Sequence, residues 1–172
     1  MMEAPFQIKD RFLNPGEFYF GGPDLRLKTL LGSCVSIVLW HPTKFIGGMC
    51  HYLLTTRGDK KTESFSPDGK YGDEAFCLFM DAIRNANTKP TEYEAKIFGG
   101  ADMFSREEKS IAGSHLETKA KLIGLRNVEF AKIKLKENSI KIVSENTGGS
   151  SSRKIFFTLW DGEVWLESHK EH

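Results

Sequence analysis

The sequence predicts an α+β protein on three observations. Strand-like runs outnumber helical ones, they come as hairpins rather than in strand–helix–strand alternation, and two separate segments carry apolar residues at helical spacing. At 172 residues the chain suits one domain spanning 1–172.

The first clear strand is Leu25 to Leu30, where Leu25, Leu27 and Thr29 alternate with Arg26, Lys28 and Leu30 and lead into Gly32. Cys34 opens the next run, Cys34-Val35-Ser36-Ile37-Val38-Leu39-Trp40, rich in β-branched and aromatic residues. Strand alternation puts Cys34, Ser36, Val38 and Trp40 on one face and the greasier set Val35, Ile37 and Leu39 on the other. His41-Pro42-Thr43-Lys44 reads as a turn, and Phe45 to Leu54 as the returning strand. From Thr55 to Tyr71 the chain turns polar, a long loop suited to covering or docking a substrate.

Asp73 is placed to cap a helix whose core face is Phe76, Phe79, Met80 and Ile83, with Cys77 also assigned to core packing. Tyr93, Ala95 and Ile97 mark one face of a strand that runs into Gly99-Gly100-Ala101. Paired glycines there allow close backbone approach or positive φ and are a weak signal for phosphate. Residues 104–122 form a polar excursion containing His115, and a helix beginning near Gly124 or Asn127 carries Val128, Ala131 and Leu135 on one face. Ile140 and Ile142 read as a strand, and Asp161-Gly162 as the turn of a final hairpin between Arg153–Trp160 and Glu163–Glu167.

Composition narrows the function classes. Apolar residues make up 40% and charged residues 27%, as in an ordinary globular protein. No run approaches the length of a membrane span, the N-terminus lacks the features of an export signal, and three cysteines argue for free thiols, so a cytoplasmic location without membrane insertion is expected. A net charge of +1 offers no electrostatic ground for nucleic acid.

The chemistry-bearing pair is Cys34 and His51. With a turn centred on Pro42-Thr43, facing positions sum to 85, which sets Cys34 directly opposite His51 with Cβ atoms about 4.5–5.5 Å apart. An imidazole at that range can take the proton of a thiol and make it a nucleophile. An odd-numbered turn would instead set Cys50 or Tyr52 opposite Cys34, and a bulge at Gly47-Gly48 would shift the count. The plainer alternative is a small core cysteine and a histidine bonded to some backbone carbonyl. Cys34, Cys50 and His51 do not make a convincing metal site, because neighbouring strand residues point to opposite faces and no fourth ligand has useful spacing.

Several blocks in order resemble the CheD family of bacterial chemotaxis: Leu31-Gly32-Ser33-Cys34-Val35, Gly48-Met49-Cys50-His51-Tyr52-Leu53-Leu54, Gly69-Lys70-Tyr71 and Phe98-Gly99-Gly100-Ala101-Asp102-Met103-Phe104. Ile123-Gly124-Leu125-Arg126-Asn127-Val128, and Thr147-Gly148-Gly149 followed by Arg153-Lys154, continue the likeness. The resemblance implies packed mixed or antiparallel β-sheets with helices outside, similar to the catalytic domain of cytotoxic necrotising factor toxins. It implies a protein-glutamine deamidase acting on the cytoplasmic region of methyl-accepting chemotaxis receptors, with no cofactor and no metal. Carried over, the nucleophile is Cys34, the base His51, and the residue that orients the histidine Thr29. Strict strand parity sets Thr29 on the face opposite Cys34, and a turn at Gly32 would restore it. The family commonly has aspartate where this chain has Asn146. The resemblance also implies a CheC-type phosphatase as a partner, and so a competing reading: a non-catalytic module that binds and activates such a phosphatase.

Overall fold

Two short crossovers between sheets, rather than one long hairpin, place the candidate residues. In a computed structural model, described for residues 2–58, 66–103 and 114–168, the strands are β1 (Lys9–Phe12), β2 (Phe18–Gly21), β3 (Leu25–Leu31), β4 (Val35–His41), β5 (Ile46–Cys50), β6 (Glu94–Gly99), β7 (Lys141–Thr147), β8 (Arg153–Thr158) and β9 (Val164–Ser168). The helices are α1 (Gly72–Asn85) and α2 (Ser114–Glu137), with a 3-10 turn at Pro90–Glu92. One sheet has the order β1-β3-β8-β9 and the other β2-β5-β4-β6-β7. β1 and β3 lie in the first, β2 and β4 in the second, so residues 13–17 and 32–34 each carry the chain from sheet to sheet.

The alternation along β4 builds two cores. Val35, Ile37 and Leu39 join Phe76, Phe79 and Ile83 of α1 and Val128, Ala131 and Leu135 of α2. Val38 packs in the second core, between the sheets, with Leu27, Leu31, Met49, Phe98, Ile155 and Phe157, while Cys34 and Trp40 lie against it. A strand covered on both faces has no solvent side, which is why β4 reads as a nearly continuous apolar run. The α+β build with helices outside the sheets is the one expected.

The register of the β4–β5 hairpin differs from the expected one. Val38 faces Met49 and His41 faces Ile46, so partners sum to 87. The excluded residues are Pro42 to Phe45: Phe45 takes a left-handed φ of 53°, its N–H donates to the His41 carbonyl at 3.0 Å, and His41 Nδ1 accepts from Lys44 N at 3.2 Å. His41 is therefore the last strand residue, its ring capping the turn. The shift is two residues, so it preserves faces: Cys34 and His51 stay on one side of the hairpin but sit diagonally. Gly47 and Gly48 continue the ladder without a bulge, paired to β4 and β2.

The last hairpin repeats this turn. Thr158 N donates to Glu163 O and Gly162 N to Thr158 O, with Gly162 left-handed at φ 75°, so Leu159 to Gly162 form a four-residue loop rather than a two-residue Asp-Gly turn. Three helical expectations also change. α1 is preceded by Tyr71 without a side-chain cap, and Asp73 lies in its first turn. Cys77 is exposed. α2 begins at Ser114, some ten residues before Gly124, because Gly124 is there for a close helix crossing rather than as a helix start. His115 is thus helical, while 59–65 of the Thr55–Tyr71 loop and 104–113 of the polar excursion lie outside the described residues.

Candidate functional site

The site forms where the two crossovers meet the end of β5. Past the last rung, Val35 with Tyr52, the hairpin strands separate. The end of β5 is then held by the first crossover: Gly16 N donates to His51 O at 2.7 Å and His51 N to Glu17 O at 3.2 Å.

Thr29 and His51 are brought together. Thr29 comes from β3 and faces between the sheets, fully buried, with its Oγ1 2.7 Å from His51 Nδ1 and 2.7 Å from the Leu13 carbonyl. The parity argument does not apply, because β3 and β4 belong to opposed sheets and both inner faces converge. A hydroxyl has one proton, and a carbonyl only accepts. Thr29 must therefore donate to Leu13 and accept from His51, which assigns the imidazole proton to Nδ1 and leaves Nε2 a bare lone pair. His51 Nε2 is buried and has no hydrogen-bond partner among the described residues.

Cys34 is half-buried in the second crossover, and neither ring nitrogen of His51 is hydrogen-bonded to its sulfur. Its turn is braced from outside. Gly100 N donates to Cys34 O and Ala101 N to Gly32 O, both at 2.9 Å, while Asn127 Nδ2 donates to Leu53 O at 2.8 Å and reaches Ser33 O at 3.4 Å. The Gly99-Gly100 pair serves this approach: both have positive φ, and a Cβ on Gly99 would overlap the Cys34 carbonyl. Helix α2 crosses the same loop so closely that a Cβ on Gly124 would lie 2.6 Å from Gly100 O. The loop is braced in turn by Gly148 N to Gly99 O and Asp102 N to Gly149 O. Arg153, buried and with its pKa lowered by desolvation, holds that segment by donating to the Asn146 side chain at 2.8 Å and to the Gly148 carbonyl.

Burial sets the resting charges. It pushes the Cys34 thiol up, partly offset by its own backbone N–H, and holds His51 down at about 4. Both shifts favour the neutral forms at pH 7, a thiol and an imidazole rather than the ion pair that a freely solvated dyad would favour. Cys50, buried in the helix-facing core, is pushed up to about 12 and is chemically quiet.

The depressed His51 pKa has a stability consequence. Between pH 6.5 and 4 the unfolded chain holds this proton and the folded one does not, so stability present above 6.5 is lost as pH falls. The loss should reach about 3 kcal/mol by pH 4. Urea midpoints of wild type and His51→Gln measured across this range should converge as pH falls, and parallel curves would contradict the assignment.

Sequence reading missed Asn127, the Leu13 carbonyl and Ser36, which by continuation of the register faces His51 with a buried hydroxyl that has no hydrogen-bond partner among the described residues. Asn127 left a signal: a polar residue on the otherwise apolar face of α2 that carries Gly124, Val128, Ala131 and Leu135.

Residues 53–168 match the family model for CheD, described as chemotactic sensory transduction. This chain belongs to the CheD family. It is 48% identical, over 96% of its own length and 91% of the other, to "Probable chemoreceptor glutamine deamidase CheD 3" of Dechloromonas aromatica. It is 43% identical to "Probable chemoreceptor glutamine deamidase CheD 1" of Leptospira interrogans, covering 97% of each. Among solved structures it is similar to the hypothetical protein YfiH of Bacillus licheniformis, with a TM-score of 0.40 and 11% identity over 87% of this chain and 61% of that one, too remote to add to the CheD assignment. No described helix is long and apolar enough to cross a membrane.

Proposed function

We propose that this CheD-family chain hydrolyses glutamine side-chain amides of chemoreceptors, with Cys34 as nucleophile, His51 as base and Thr29 orienting the base. The supporting observation is the Thr29–His51 hydrogen bond, which leaves Nε2 free to accept a proton on the hairpin face that Cys34 shares. The names carried by the relatives supply the substrate class.

As substrate enters, the thiol closes on Nε2. Long hydrogen bonds in an empty site commonly tighten in this way. The thiol proton passes to Nε2 while sulfur attacks the carboxamide carbon, forming the C–S bond and an oxyanion. The intermediate collapses as the C–N bond breaks and His51 protonates the departing ammonia, leaving a thioester. Water then attacks, giving its proton to His51, and the C–S bond breaks to release glutamate and restore the thiol. Every step uses side chains already present.

Ammonia release and peptide mass mapping on a purified receptor cytoplasmic fragment test this reading. Wild type should convert particular glutamines to glutamate, and Cys34→Ala should abolish conversion. Binding of the fragment without conversion by wild type would overturn it in favour of a module that partners a CheC-type phosphatase.

A further inference from the structure

We propose that Asn127 is a positioning residue for the deamidation, holding the Ser33–Cys34 peptide so that the Cys34 N–H is aimed at the developing oxyanion. The inference rests on Cys34 being the nucleophile.

The hairpin ladder ends at Val35 and Tyr52. Its next rung would pair Ser33 with Leu54, but Leu54 turns away to bridge Tyr71, accepting from Gly72 N at 2.7 Å and donating to Lys70 O at 3.2 Å. Ser33 thus loses its ladder partner one residue before the nucleophile. Asn127 fills that gap, its single Nδ2 reaching both diverging strands through Leu53 O and Ser33 O. An amide has two hydrogens for this, which an apolar residue on that helix face would not supply.

The carbonyls of Gly32, Ser33 and Cys34 are consequently all engaged, by Ala101 N, Asn127 Nδ2 and Gly100 N. Every peptide bond here is trans, so C=O and N–H of one unit point opposite ways. Holding the Ser33 carbonyl toward α2 therefore turns the Cys34 N–H away from it. That N–H has no acceptor among the described residues beyond its own sulfur, as an oxyanion donor requires. Asn127 is itself anchored: it is 1% exposed, and its backbone carbonyl accepts from the Tyr52 hydroxyl.

The test compares wild type, Cys34→Ala, Asn127→Ala and Tyr52→Phe for kcat and KM on the receptor fragment, alongside the rate of Cys34 alkylation by iodoacetamide. Alkylation needs the thiol but forms no oxyanion. Asn127→Ala should lower kcat about 10- to 100-fold while leaving KM and alkylation within about twofold. Tyr52→Phe, which loosens the same stretch of helix without touching Ser33, should keep kcat within threefold. Asn127→Ala with kcat within threefold of wild type, or with alkylation falling in parallel, overturns the proposal. A measurement on wild type guards against a variant that does not fold: the Cys34 amide proton should move downfield when an aldehyde analogue of a glutamine peptide adds to the thiol, and an unmoved signal overturns the proposal. Inactive wild type, or active Cys34→Ala, would remove the nucleophile assignment and this inference with it.

Discussion

Thr29→Val should lower the deamidation rate about 100-fold, equivalent to ~2.7 kcal/mol of transition-state stabilisation, with little change in KM. Valine matches threonine in shape, so the inter-sheet packing around position 29 is kept. It removes the oxygen that accepts from His51 Nδ1, and with it the constraint that keeps the lone pair on Nε2. Loss of an orienting acceptor costs a base its tautomer and its aim, even where the ring stays in place. The same change leaves the Leu13 carbonyl and the Nδ1–H unpaired, so a stability loss of about 1–3 kcal/mol is expected as well. Thr29→Ser retains the hydroxyl and should recover most of the rate. Ammonia-release kinetics on the three proteins decide the matter; a valine variant within threefold of wild type would remove Thr29 from the mechanism.

Gly99→Ala should be the most damaging single-methyl change among the described glycines, costing about 3 kcal/mol or more and removing most activity. The residue has φ 110°, a conformation that side chains other than hydrogen rarely adopt, and its Cβ would overlap the carbonyl oxygen of Cys34. Relief requires moving either the turn that carries Cys34 or the 99–101 loop. The loop is held against α2 at Gly124 and by the Gly148 N–H, so the displacement falls on Cys34. Thermal unfolding and the alkylation rate of Cys34 report the two effects separately. Unchanged alkylation in a folded Gly99→Ala protein would mean that the loop, not the Cys34 turn, yields.

Much of this architecture is local and therefore readable. Strand alternation assigns Cys34 to one face of β4 and Val35, Ile37 and Leu39 to the other, because side-chain direction follows from backbone pleating. Helical spacing marks Phe76, Phe79 and Ile83, and the ordered motif blocks identify the family. The diagonal placement of Cys34 and His51 was not readable, since it depends on a four-residue turn whose left-handed position is occupied by Phe45, a residue with no intrinsic preference for that conformation. The face pairing survived because the shift is an even number of residues. The start of α2 is hidden for a similar reason: Gly124 lies inside the helix because a neighbouring backbone requires a glycine there, not because the helix begins at it.

Residue type and short-range order are enough to specify the family, the α+β class and the candidate nucleophile, base and orienting residue. It took the packing of the sheets to bring Thr29 to His51, to bury both Cys34 and His51 so that the thiol pKa rises and the imidazole pKa falls, and to set Asn127 and the 99–101 loop against the turn that carries Cys34. These depend on two sheets facing one another and on a helix crossing at backbone contact, and such distances arise from packing between segments far apart in the chain.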